Sequence, residues 1–251
     1  MLRIIYLLPA VFLLYCNFGN TAIRVSIENE PSSTTATLDH SIWDKLLKKH
    51  VDHNGNVDYK SFAMDIKPLG EYLKYLAQNP PHQASAKAKK LAYYINFYNA
   101  ATVKLIIDHY PLKSIKDLRN PWGRNIAQMG DTKISLGDLE HKILRKMDEP
   151  RIHFAINCAS YSCPKLINRA FTENNTESLL EQAAMDFIND PKRNILTAEK
   201  ASLSQIFNWY KKDFTENGSL EDYINQYASQ QLTSKTKINY LSYNWALNET
   251  K

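Results

Sequence analysis

The chain has 251 residues, 44% of them hydrophobic, with 31 basic and 26 acidic side chains and a formal net charge of +5. That is enough apolar material for a sizeable core, and the length fits one large domain or two small ones. Lys and Arg are spread along the chain rather than gathered in one arm or face, which argues against a nucleic-acid partner; the run Lys87–Lys90 reads as solvated helix surface.

At the N-terminus, Met1-Leu2-Arg3 is followed by an apolar run of 13 residues, Ile4 to Cys16. It is short for a bilayer span and suits the h-region of a secretory signal. Small residues near Gly19–Ala22 offer a cleavage point, so residues 1–22 are read as a signal peptide. Residues 23–37, polar and rich in Ser and Thr, are read as a linker, and 38–251 as the domain. A lipid anchor on Cys16 is the alternative, disfavoured by the bulk of Tyr15; a retained anchor is the third. Signal removal would leave a soluble protein, exported to a periplasmic or extracellular setting in which Cys158 and Cys163 are the only thiols and can pair.

In SIWDKLLKKHV, residues Ile42, Trp43, Leu46, Leu47 and Val51 recur at helical spacing behind Ser41 as cap. In DHNGNVDY, Asn54-Gly55 signals a tight turn between two short extended pieces. A calcium loop is disfavoured, because Gly55 stands fourth from Asp52 and Ala63 fills the twelfth position. Helices are expected over Asp65–Leu76 and Ala84–Tyr110. In Leu91–Ile107, 13 of 17 residues are apolar or aromatic, which implies burial on nearly all sides. Asn96 and Asn99 share a face there. Buried amides must be hydrogen-bonded, so the pair either clamps a neighbouring loop or belongs to a site wall.

TKISLGDLEHKILRKM reads as a short strand, then a helix from near Gly137-Asp138 carrying Glu140, His141 and Arg145. RIHFAIN reads as a strand, with His153, Ala155 and Asn157 on one side and Phe154, Ile156 and Cys158 on the other. Further helices are expected over Glu177–Phe187, Ser204–Phe214 and SLEDYINQYAS, and a terminal strand in INYLSYNWALN. Nothing alternates as βαβ, no phosphate-binding glycine loop is present, and no cofactor is expected. The reading is α+β: a mostly helical single domain with a few short strands.

HFAINCASYSCPKL admits three chemistries. Either thiolate could be a nucleophile, with a histidine moving the proton and the Asn157 amide holding an oxyanion. If the strand runs to Cys158, His153 points away from it, which brings in His141 as base and Glu140 as the acid orienting it. Pro164 suits the first turn of a helix, and a helix N-terminus would lower the pKa of Cys163. Alternatively, His141, His153, Cys158 and Cys163 could hold zinc, although C-x4-C is a wide spacing for it. In the third chemistry the two cysteines form a disulfide closing a short loop.

AYYINFYNA, LEHKILR, RIHFAINCASYSCPKL, IFNWYKKDF and YLSYNWALN stand here in the order and spacing of the DUF547 family, which the chain resembles from about Trp43 to Asn248. The family has no assigned function, so the resemblance implies positions rather than chemistry: Asn96, Asn99, Glu140, His141, Arg145, His153, Asn157, Cys158, Ser162 and Cys163. It also implies that the second cysteine is dispensable, which moves the nucleophile from Cys163 to Cys158. Two departures are Ala159, where the family pattern has Gly, and Asn244, where it has Asp. The expectations are an exported cysteine-dependent hydrolase or acyl-transferase acting through Cys158, His141, Glu140 and Asn157, or an exported binding or scaffold domain with a Cys158–Cys163 disulfide. In the first, His153, Cys163, Asn96, Asn99, Arg145 and Ser162 surround an unknown substrate.

Overall fold

The computed structural model describes residues 37–129 and 132–250; the expected signal peptide and nearly all of the expected linker lie outside them. Helix α1 (Ser41–His50) buries Trp43, Leu46 and Leu47. Ser41 is its first residue rather than its cap; the Ser41 N–H donates to Asp39 Oδ1 at 2.8 Å. The Asn54-Gly55 turn forms, with Gly55 at φ +80° and Val51 bridged to Val57. A Cβ on Gly55 would lie 2.7 Å from the Lys165 Cα, so only glycine lets the loop after the cysteines pass this close. Helices α2 (Tyr59–Phe62) and α3 (Ile66–Gln78) follow. His50, stacked on Phe62 of α2, contacts Asp65 Oδ2 through Nε2 at 2.6 Å and Ser61 Oγ through Nδ1 at 3.2 Å.

Helix α4 (Lys87–Ile107) is buried on nearly all sides, as its apolar run dictates. Its two asparagines grip backbone at both ends of their amides. Asn96 donates to Phe171 O at 2.7 Å and accepts from Phe171 N–H at 3.0 Å. Asn99 donates to Ala155 O at 2.9 Å and accepts from Asn157 N–H at 2.8 Å. The irregular chain around residues 155–171 has no ladder of its own there, and α4 supplies the partners.

Strands β1 (Asn125–Met129) and β2 (Thr132–Ser135) pair antiparallel. The helix expected near Gly137 begins there as a π-helical stretch, Asp138–Ile143, tightening to a 3-10 turn, Leu144–Met147. Ser135 and Asp138 cap its start reciprocally, with Ser135 N–H to Asp138 Oδ2 at 2.9 Å and Asp138 N–H to Ser135 Oγ at 3.1 Å.

RIHFAIN is not a strand. Ile152–Ala155 forms one helical turn, α5, and the chain becomes extended only at Ile156. Every residue from Ile152 to Asn157 is buried. Branched and aromatic composition therefore reported burial on all sides, and with no solvent face there was no two-sided alternation to obey.

Helix α6 (Thr176–Ile188) precedes β3 (Ile195–Leu196) and β4 (Lys200–Leu203). The expected single helix over Ser204–Phe214 is two, α7 (Gln205–Trp209) and α8 (Lys211–Phe214), broken at Tyr210. After α9 (Leu220–Asn225), strand β5 (Lys237–Tyr240) pairs parallel with β4, which pairs antiparallel with β3. The expected terminal strand thus stops at Tyr240, and the chain continues across the cysteine loop through an antiparallel bridge between Ser160 and Leu247. The architecture is a mostly helical α+β domain with two hydrophobic clusters, one around α1–α4 and one joining Phe154 to α6, β4 and α7–α9. Among the described residues no helix is long and apolar enough to cross a membrane.

Asn99→Ala should lower stability by about 2–6 kcal/mol, because it strands a buried carbonyl and a buried N–H, each costing about 1–3 kcal/mol unpaired. Urea unfolding measures this; a loss under about 1 kcal/mol would mean that water replaces the clamp.

Candidate functional site

A cavity of about 280 Å³ opens where the two clusters meet. Its lining comes from six places in the chain: Tyr98 of α4, Trp122 before β1, Glu140 and His141 of the π-helical stretch, His153 and the two cysteines, Trp209 with Tyr210, and Tyr243 with Trp245. A second cavity, about 370 Å³, lies behind the same loop, but Lys48, Lys165, Arg169, Asp186 and Asp190 mix opposite charges along it without converging on a point. The smaller one gathers the chemistry.

Glu140 is its buried acid, 5% exposed. Tyr98 donates to Oε2 at 3.3 Å and Tyr210 donates to Oε1. Burial, and then the neighbouring carboxylate, push both phenols up from their ordinary pKa, so they stay protonated and act as donors. His141 Nδ1 lies 3.9 Å from Glu140 Oε1 and 3.4 Å from Arg145 Nη1, with its side chain 52% exposed.

His153 is buried, stacked on Tyr210 at 3.9 Å between ring centroids, and its Nε2 meets Asp213 Oδ2 at 2.8 Å. Burial lowers its pKa, against the pull of Asp213. Arg145 holds Asp213 through Nε and Nη2 at 2.6 and 2.7 Å. Burial alone would raise the Asp213 carboxyl, but Arg145 and His153 bring it well below the usual carboxylate range. Asp213, in KKDF, was not anticipated.

The cysteines are joined as a disulfide, with Cα atoms 6.4 Å apart, inside the range the bond requires. Cys158 N–H donates to Cys163 Sγ at 3.1 Å, and the Tyr243 hydroxyl donates to the same sulfur at 3.1 Å. Among the described residues neither sulfur has a histidine as hydrogen-bond partner. The expectation of a helix after Pro164 is overturned: the next helix is α6, so Cys163 has no helix N-terminus beside it. Asn157, expected as an oxyanion donor, spends its amide on the loop, donating to Pro164 O at 2.7 Å and accepting from Ala159 N–H at 2.7 Å.

Other expected site residues are also structural in position. Asn96 and Asn99 clamp backbone outside the cavity lining, Arg145 serves Asp213, and Ser162 Oγ accepts from Asn244 N–H at 2.9 Å. The zinc set does not converge, since the sulfurs hold each other and His153 is committed to Asp213; no group of three His, Cys, Asp or Glu able to hold a metal occurs among the described residues.

What sequence reasoning missed is the aromatic wall. Tyr243 packs tilted against Trp245 at 4.5 Å and Trp209 at 4.8 Å between ring centroids, and Trp245 meets Trp122 edge-on at 5.8 Å. Trp209, Tyr210, Tyr243 and Trp245 stand in IFNWYKKDF and YLSYNWALN, two motifs already singled out, and that coincidence was the available signal.

Ala159 adopts φ +58° directly after Cys158, the left-handed conformation the departure from Gly made costly. Ala159→Gly relieves about 1–2 kcal/mol of strain, offset by a buried methyl of about 0.8 kcal/mol and backbone entropy of about 0.5–1 kcal/mol. Its expected effect in thermal unfolding is therefore small, within about 0.5 kcal/mol, whereas branched Ala159→Val should cost more than about 2 kcal/mol.

Residues 81–188 match the family described as "Protein of unknown function, DUF547". The matched segment carries Tyr98, Trp122, Glu140, His141, His153 and the cysteine loop; the second half of the aromatic wall lies beyond it. No curated protein and no solved structure matches the chain. The resemblance to the DUF547 family is supported over residues 81–188.

Proposed function

We propose that this protein is an exported small-molecule-binding domain, with the aromatic cavity as its binding site and the Cys158–Cys163 disulfide as a structural bridge in one wall. The observation that carries this is the cavity itself: about 280 Å³, open to solvent on one side and lined by aromatic rings, with one buried acid and two phenol donors in its lining. Concave, mostly apolar sites with a few convergent polar groups are the usual form of ligand pockets. The volume suits a ligand of one ring or a short chain.

A second reading, a cysteine-dependent hydrolase or acyl-transferase, is favoured by one observation: Cys158 lines the same cavity as Glu140 and His141. It requires the bridge to open, because a disulfide sulfur is no thiolate nucleophile.

Mass spectrometry without reductant separates the two. The binding reading expects a protein lighter by two hydrogens than the dithiol form and refractory to iodoacetamide. Rapid alkylation of Cys158 in the folded, unreduced protein would overturn it in favour of the thiol enzyme.

A further inference from the structure

The buried and half-buried acids around this site are not treated alike. Glu149 is matched by Arg151 Nε at 2.7 Å, and Asp213 by a two-point contact with Arg145. Glu140 is the most enclosed of the three, with a side chain 6% exposed against 11% and 19%. Yet no ammonium or guanidinium forms a direct ion pair with it among the described residues; Arg145, which feels its charge, is bound to Asp213. Its partners are two neutral phenols, and the nearest basic nitrogen is His141 Nδ1, 3.9 Å away on a half-exposed ring. Buried carboxylates are ordinarily paired with cations, because desolvated charge is costly.

The walls around this acid are rings with electron-rich faces. Trp209, Tyr243 and Trp245 form a contiguous surface, and such faces attract cations, most strongly when desolvated. Two cations of the protein approach these rings: Arg145 lies 5.3 Å over Tyr210 while bound to Asp213, and the exposed Lys116 sits 5.1 Å over Trp245, which leaves Trp209 and Tyr243 without a cation of the protein over them among the described residues. His153 lies within the field of Glu140 but gives its Nε2 to Asp213.

We infer that the cavity takes a small organic cation of the alkylammonium class, whose charged nitrogen sits against the Glu140 carboxylate while its carbon substituents pack on Trp209, Tyr243 and Trp245. The inference rests on the ligand-binding reading and deepens it. Each Glu140 oxygen receives one phenol hydrogen and keeps a lone pair for the ligand. A neutral ligand of the same shape would keep the ring contacts but leave the carboxylate unmatched, so charge should dominate selectivity.

The test compares choline with its neutral isostere 3,3-dimethylbutan-1-ol, and with indole as a neutral aromatic. Each is titrated into the protein with its disulfide intact while tryptophan emission is followed. Trp122, Trp209 and Trp245 line the cavity, while Trp43 is fully buried in α1 and provides a constant background. Choline should bind at least tenfold tighter than the alcohol, and Glu140→Gln should reduce that ratio to near one without abolishing indole binding. Equal affinity of choline and the alcohol, or binding of indole alone, overturns the cation assignment and leaves the ligand-binding reading standing. Failure of all three probes to bind overturns both.

Discussion

A carboxylate wedged between two phenols joins the halves of this fold. Tyr98 belongs to α4 and so to the first cluster; Tyr210 marks the break between α7 and α8 and so belongs to the second. Glu140 touches both, from a π-helical stretch whose wider turn sets it facing inward beside the half-exposed His141. π-helical segments concentrate at functional sites, and this one presents an acid where the two clusters would otherwise close on each other. The aromatic wall, the disulfide loop and the His153–Asp213–Arg145 chain are arranged around that point.

Two opposing demands meet there. Enclosing a carboxylate costs several kcal/mol after relaxation, and two hydrogen bonds to the charged group, worth about 1.5–3 kcal/mol each net, offset that cost without supplying an opposite charge. Asp213, with a bidentate arginine and a histidine, shows how this same fold satisfies an acid when structure alone is the purpose. The disulfide loop is held by ordinary means: Asn99 fixes Asn157, Asn157 fixes Pro164 and Ala159, and the C-terminal chain bridges Ser160. A wall held so firmly suits a rigid cavity better than a cysteine that must move during turnover.

The sequence was legible where periodicity or turn chemistry acts locally. The amphipathic spacing of α1, the all-round apolar run of α4 and the Asn54-Gly55 turn needed no tertiary information. The need of Asn96 and Asn99 for partners was readable too, although which backbone they grip was not. The α5 turn was missed because six consecutive buried residues carry no face signal, and its loss removed the reason for setting His153 apart from Cys158. The cavity was hidden for another reason. Its aromatic residues lie as far apart as Tyr98 and Trp245, and only packing of the two clusters brings them together. The left-handed conformation at Ala159 falls where the resembled family has Gly, and the expected aspartate at position 244 is replaced by an asparagine that accepts from Ala246 N–H at 3.0 Å.

The central claim is that Glu140 is kept for a ligand and not for the fold. The most direct measurement is the unfolding free energy of Glu140→Gln against the parent protein, with no ligand added. Glutamine retains the shape and can still meet both phenols, one as donor and one as acceptor. If the account holds, removing the unpaired buried charge leaves stability unchanged or raises it by about 1–3 kcal/mol. A loss of about 3 kcal/mol or more would contradict it, and would make the carboxylate a structural tie between the two clusters.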